Sequence, residues 1–181
     1  NLGRGVGFVT VLFILLVLLW VLKIAVSTYM GIMELESDLG EYLIKIGAQL
    51  ALQTELIQDL GDMLKGYPDS GYEAFGIISN LRLESLTSDS LPECAGTFYQ
   101  RRDLINRFIK GEEGNPKIRN LDNFKNFRTK LSVVNNRISL ERQLYNDIAF
   151  RYNCVIDTAV GSLIAKLLKR TEQPYFELVA S

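Results

Sequence analysis

Tyr145-Asn146 and Tyr152-Asn153 repeat a phenol–amide pair at an interval of seven residues. Seven residues are two helical turns with a drift of only about 20°. On a helix both tyrosines fall along one stripe and both asparagines on its border, where an amide can hydrogen-bond a neighbouring helix or loop. This is the chemistry of packing and hydrogen bonding. The side chains that would carry turnover are scarce. The chain has no histidine, which removes histidine acid–base relays and histidine metal ligands. Its two cysteines, Cys94 and Cys154, are sixty residues apart with no CxxC, so zinc and thioredoxin-like chemistry are unsupported. Two cysteines make no disulfide framework, and the pair is expected to be one loop thiol and one buried thiol rather than a bridge. Di-metal helical bundles need carboxylates and usually Glu-x-x-His, which a chain without histidine cannot supply. Walker, Rossmann and GxSxG patterns are absent. "GRGVG" at residues 3–7 precedes an apolar run rather than a strand–helix turn, so it is no phosphate loop.

The elements that must position these residues begin with residues 5–22, "GVGFVTVLFILLVLLWVL", which carry no charge. At ~1.5 Å per residue they span ~27 Å, close to a hydrocarbon core. Lys23 can snorkel to the interface, and Trp20 and Tyr29 suit the headgroup region. A single transmembrane helix is expected, with residues 1–30 as anchor and 31–181 as a helical domain. The chain starts at Asn1, so its natural start is expected upstream. Arg4 precedes the span and Glu34, Glu36, Asp38 and Glu41 follow it. That asymmetry favours a single-pass membrane protein with its domain on the extracytoplasmic side.

Beyond the anchor, Ile32, Leu35, Leu39, Tyr42, Ile46 and Leu50 form a helical seam, and no proline separates it from the span. One rod is expected to about Gln53. Gly40 and Gly47 lie within it, as weak helix positions or as places where a partner helix approaches. A second helix is expected over Thr54–Arg82, with Leu56, Leu60, Met63 and Tyr67 on its stripe and an interruption at Pro68. Residues 84–96 read as a loop, Thr97–Lys110 as a short helix with Leu104, Ile105 and Phe108 inward, and 111–120 as another loop. A last long helix starts near Asn120, a good N-cap residue. Its seam reads Phe124, Phe127, Leu131, Val134, Ile138, Tyr145, Ile148, Tyr152, Val155. Glu141 fills the missing position and is expected to swing to the edge while Leu140 and Leu144 cover the core; the other reading is a pair with a basic residue on a facing helix. In "SLIAKLLKR", Leu163, Ile164, Leu167 and Leu168 share an apolar face beside Lys166, Lys169 and Arg170. It is expected to fold back over the bundle end; the other reading is a helix lying on an anionic membrane.

These segments together resemble the LemA family. "NPKIRNLDNFKNFRTKL" is similar to the family's proline turn and helix start, and Tyr145, Asn146, Tyr152 and Asn153 match its two Tyr-Asn pairs. Pro174, Tyr175, Phe176 and Glu177 stand where the family has its PFFE-like tail. "ELIQDLGDMLKGY" resembles the family's "DLIPNLVETVKGY" through Glu55, Leu56, Ile57, Leu60, Leu64, Lys65, Gly66 and Tyr67. The family's arginine pair before that motif is absent, Gln58 replaces its proline, and "DTAV" replaces its "FP". The resemblance implies an all-α, membrane-anchored helical bundle and brings no established catalytic residue.

The expected function is that of a non-enzymatic scaffold or interaction protein of the cell envelope, with no catalytic, cofactor-binding or metal-binding residue. Its partners would be the lipid bilayer, further copies of itself and other membrane proteins; a net charge of −1 and a pI near 5.6 offer no footprint for nucleic acid. Self-assembly is expected partly along the first helix, through Leu39 and Leu43. The alternative is a ligand-sensing or signalling accessory module acting through a membrane partner.

Overall fold

The computed structural model describes residues 2–67, 75–78, 81, 86–87 and 89–177. Among these residues five helices follow in order: α1 (Leu2–Leu64), α2 (Leu91–Glu112), α3 (Pro116–Arg119), α4 (Asp122–Ile156) and α5 (Ala159–Leu168), with a further helical turn at 75–78. No strand occurs among the described residues, so the all-α expectation holds. The chain divides into two compact units. One comprises Asn1–Asp38 and Ile148–Gln173, the other Leu39–Asp147 and Pro174–Ser181.

The first correction concerns α1. The expected boundary at Gln53–Thr54 does not exist, and the helix runs on to Leu64. Physically this follows from the residues: "ALQTELIQDLGDML" holds no proline, and its single glycine, Gly61, is tolerated inside a helix. The helix stops only where Lys65 and Gly66 turn. Pro68 lies outside the described residues. The inner stripe of α1 in the larger unit is Leu39, Leu43, Ile46, Leu50, Ile57, Leu60 and Leu64, all buried. Gly61 is needed there because a Cβ would stand 2.7 Å from the Phe75 ring, which in turn packs on Phe108 at 5.4 Å.

α2 begins at Leu91, six residues before the expected start. Pro92 sits in its first turn, where a missing N–H costs nothing. Ser90 and Thr87 hydrogen-bond each other ahead of it. Ile105 and Phe108 point inward, and Leu104 is half-buried. The expected loop at 111–120 contains α3, capped by Asn115, whose side chain accepts from the Lys117 N–H at 3.2 Å. Asn120 is therefore the C-cap of α3, not the N-cap of the long helix, and α4 begins two residues later.

α4 buries Phe124, Phe127, Leu131, Val134, Ile138 and Tyr145 in the larger unit, and Ala149, Tyr152 and Ile156 in the smaller. Ile148 and Val155 are only half-buried, because the stripe drifts toward Ala149 and Ile156. Leu140 and Leu144 do not cover the core: both are exposed. Glu141 stays half-buried on the seam, its Oε2 buried without a hydrogen bond. It lies within the electrostatic reach of Lys45, which is paired to Glu41 at 2.6 Å. The cysteines form no disulfide, as expected, and one is buried; but the buried thiol is Cys94, on α2 rather than in a loop, and Cys154 is exposed on α4.

Candidate functional site

Both Tyr-Asn pairs hold the chain's own C-terminal segment. In the larger unit the buried Tyr145 hydroxyl donates to the Pro174 carbonyl at 3.1 Å. Asn146 accepts from the Phe176 N–H at 2.8 Å and donates to the Glu177 carboxylate at 3.4 Å. Phe176 is thereby seated in the core, edge-on to Phe98 at 5.8 Å. In the smaller unit Asn153 donates to the Gln173 carbonyl at 3.0 Å and accepts from the Gln173 N–H at 2.8 Å. The Tyr152 hydroxyl donates to Glu36 on α1 at 3.1 Å, and Arg170 pairs with the same carboxylate at 2.9 Å. Each asparagine thus makes two hydrogen bonds to the tail: Asn153 to the N–H and carbonyl of one residue, Asn146 to a backbone N–H and a carboxylate.

The electrostatics suit a clasp. Burial pushes the Tyr145 phenol up to about 12, and burial followed by the Glu36 charge pushes Tyr152 up to about 12. Both phenols keep their protons near neutral pH and act as donors.

A second polar group lies inside the larger unit, and the sequence reasoning missed it. Arg101 is 2 % exposed. Its two terminal nitrogens both donate to the Thr54 hydroxyl at 3.0 Å, and that hydroxyl donates to the Leu50 carbonyl at 2.9 Å. Thr54 thereby uses its full capacity of one donor and two lone pairs. The Arg101 Nε has no partner, and burial lowers the guanidinium to about 10. Beside Thr54 in sequence, Gln53 donates to Asn135 of α4 at 2.7 Å and leaves its own oxygen unpartnered. The signal was available: Phe98, Arg101, Ile105, Phe108 and Leu50, Gln53, Ile57, Leu60 each place one polar residue on an apolar stripe. Tyr99 is flanked by two guanidiniums, Arg102 at 4.8 Å and Arg142 at 5.6 Å from its ring, and Arg142 also donates to its hydroxyl.

The other residues singled out from the sequence fall elsewhere. Trp20 and Lys23 are exposed on α1. Leu39 and Leu43 are covered by the chain's own core, so as they stand they present no face to a second copy. A cleft of 260 Å³ opens between α1 and α4, with Leu60 and Phe127 among its walls and Asp59, Asn123, Asn126 and Lys130 as polar lining. Among the described residues no group of three acidic, cysteine or histidine side chains gathers where a metal would sit.

A helical chain whose last long helix, α4, holds its own aromatic tail through paired Tyr-Asn residues defines a class by architecture. The sequence model of the LemA family matches residues 43–181, and the chain belongs to the LemA family. No curated protein matches the chain.

Proposed function

We propose that the chain is a membrane-anchored, non-enzymatic scaffold that assembles with further copies of itself at the cell envelope. The observation that carries this is α1. From Gly7 it contains an apolar window of mean hydropathy 2.9, none of it buried, and the same helix continues to Leu64 as a core helix of the bundle. A helix with a bare apolar half and a packed half has the construction of an anchor fused to a rigid domain. The side chains best able to do chemistry are engaged in holding the fold, which supports a role in interaction rather than turnover. With Leu39 and Leu43 inside, contacts between copies fall to Ile44 on α1 and to Val133, Leu140 and Leu144 on α4, all exposed. The three α4 residues share one face, since seven and four residues return to nearly the same direction.

Carbonate extraction tests the anchor: the full chain stays in the membrane pellet, and its appearance in the supernatant ends that part of the proposal. Native mass spectrometry in nanodiscs tests assembly, with Ile44→Glu plus Leu140→Glu expected to release single chains while helical content persists. Single chains of the unaltered protein at every concentration would remove self-assembly. The cleft between α1 and α4 favours the second reading, a ligand-sensing accessory module, which a ligand screen followed by Asp59→Asn and Lys130→Gln would separate.

A further inference from the structure

α5 is amphipathic in the wrong direction for a helix that caps a core. Its buried positions are the small Gly161 and Ala165, whereas Leu163 is 70 % and Leu167 83 % exposed. The inward face has no room for anything larger: a Cβ on Gly161 would overlap the Val155 carbonyl and stand 2.8 Å from the Thr158 hydroxyl. The orientation is fixed at both ends. The Thr158 side chain accepts from the Gly161 N–H at 3.0 Å and donates to the Val155 carbonyl at 2.7 Å. At the other end Arg170 is tied to Glu36. So Leu163 and Leu167 point outward by construction, while Ile164 and Leu168 stay half-buried, and the expectation that all four cover the bundle end is corrected for the two outer leucines. Lys166 and Lys169 are exposed alongside them. Lys169 closes the helix in the left-handed region, φ 55° and ψ 42°, where glycine would be the unstrained choice.

The same unit contains the apolar part of α1. Thirteen residues, or ~20 Å of helix, separate Lys23 at the end of the apolar run from Glu36, the partner of Tyr152. α4 runs antiparallel to α1 and has four residues left after Tyr152, ~6 Å back toward the span. The chain then bends by 99° into α5. A helix ~10–12 Å thick lying across the axis ~14 Å beyond the span has its near surface ~8–9 Å from the hydrocarbon edge, at the outer margin of the headgroup layer, where lysine side chains reach lipid phosphates.

We propose that α5 lies on the anionic phospholipid surface of the bilayer that holds the anchor, with Leu163 and Leu167 in the interface and Lys166 and Lys169 on lipid phosphates. This rests on the anchored reading of α1. The juxtaposition that supports it is outward leucines with flanking lysines in the unit that carries the span.

The test uses the full chain in phosphatidylcholine vesicles with and without phosphatidylglycerol. Cys154→Ser removes the exposed thiol, and an environment-sensitive fluorophore is attached through Ala159→Cys on the outer face of α5, or through Phe13→Cys in the span. Spin-labelled lipids are expected to quench both probes, the Ala159 site more strongly when phosphatidylglycerol is present. Lys166→Gln and Lys169→Gln are each expected to lower the docked-to-free ratio roughly fivefold. Leu163→Gln with Leu167→Gln abolishes quenching at Ala159 and leaves it at Phe13. If Phe13 is quenched and Ala159 is not, the inference falls and the anchor stands. Quenching at neither site overturns both. Shielding at Ala159 that grows with the number of chains per vesicle, without lipid quenching, assigns this face to a second copy and also overturns the inference.

Discussion

Removing the amide of Asn153 isolates what the tail clasp contributes. Asn153→Ala deletes two hydrogen bonds, at 3.0 and 2.8 Å, to the carbonyl and N–H of one residue, Gln173. Each such bond contributes about 0.5–1.5 kcal/mol net, so the loss is about 2 kcal/mol. It is not larger, because Gln173 can turn to water once released. For a chain of this length 1 kcal/mol moves the melting midpoint by about 2–4 °C, so a fall of about 4–8 °C is expected. Asn153→Asp is the informative companion. Its carboxylate still accepts from the Gln173 N–H but faces the Gln173 carbonyl without a donor, so it should lie between wild type and alanine or below both, never above. The assay is thermal unfolding by circular dichroism in detergent, joined to amide hydrogen exchange of the tail. Exchange at Gln173 should accelerate in Asn153→Ala, and exchange at Phe176 should accelerate in Asn146→Ala. An unchanged midpoint together with unchanged exchange at Gln173 would refute the clasp.

Tyr145 and Tyr152 give an alkaline limit. Their folded values of about 12 exceed the ordinary value near 10, so their contribution is intact below about pH 10 and is lost as pH rises through 12. A pH titration of denaturant midpoints should show stability falling between about pH 10 and 12, with Tyr145→Phe losing its share of that slope. Arg101 has the opposite sign: its lowered value means the charged form costs stability at all pH below about 10. Arg101→Met should therefore raise the midpoint at pH 7, and a large fall would mean that the guanidinium is satisfied by a bound group. Leu39→Ala should lower thermal stability by about 2–5 kcal/mol without a specific change in oligomeric state, as measured by native mass spectrometry beside thermal melts. Gly161→Ala should cost about 1–3 kcal/mol through its overlap with the Val155 carbonyl, and an unperturbed melting curve would show that α5 can shift freely.

Periodicity was legible wherever side chains of one kind repeat on one face. Phe124 to Ile138, the two seam tyrosines and the α1 stripe are of this sort, and the bordering asparagines followed from them. The boundary expected at Gln53 is absent because the polar pair there serves the packing: buried Gln53 bonds Asn135 and half-buried Thr54 bonds Arg101. What the tail does was not legible either. "EQPYFEL" shows aromatic residues after a proline, but its seat on Asn146 and Phe98 is made by residues 30 and more positions away in the chain. α5 shows a different limit. Its four large apolar residues define a face, yet that Leu163 and Leu167 turn outward while Ile164 and Leu168 are half-buried follows from the close approach of the Val155 carbonyl to Gly161, and no hydropathy pattern records that.

Glu36 has a consequence for the order in which the protein is made. It lies 116 residues before its partner Tyr152. At a synthesis rate of ~5–20 residues per second, about 6–23 s pass between the two. During that interval the apolar run of α1 has already emerged, while Leu39, Leu43, Ile46 and Leu50 have no α4 to cover them. The nascent chain therefore presents a long greasy helix to its neighbours on the same messenger. A chain cut short after Asn120 would keep that surface for its lifetime, and should be found in aggregates or in the hands of chaperones and proteases rather than as a stable fragment.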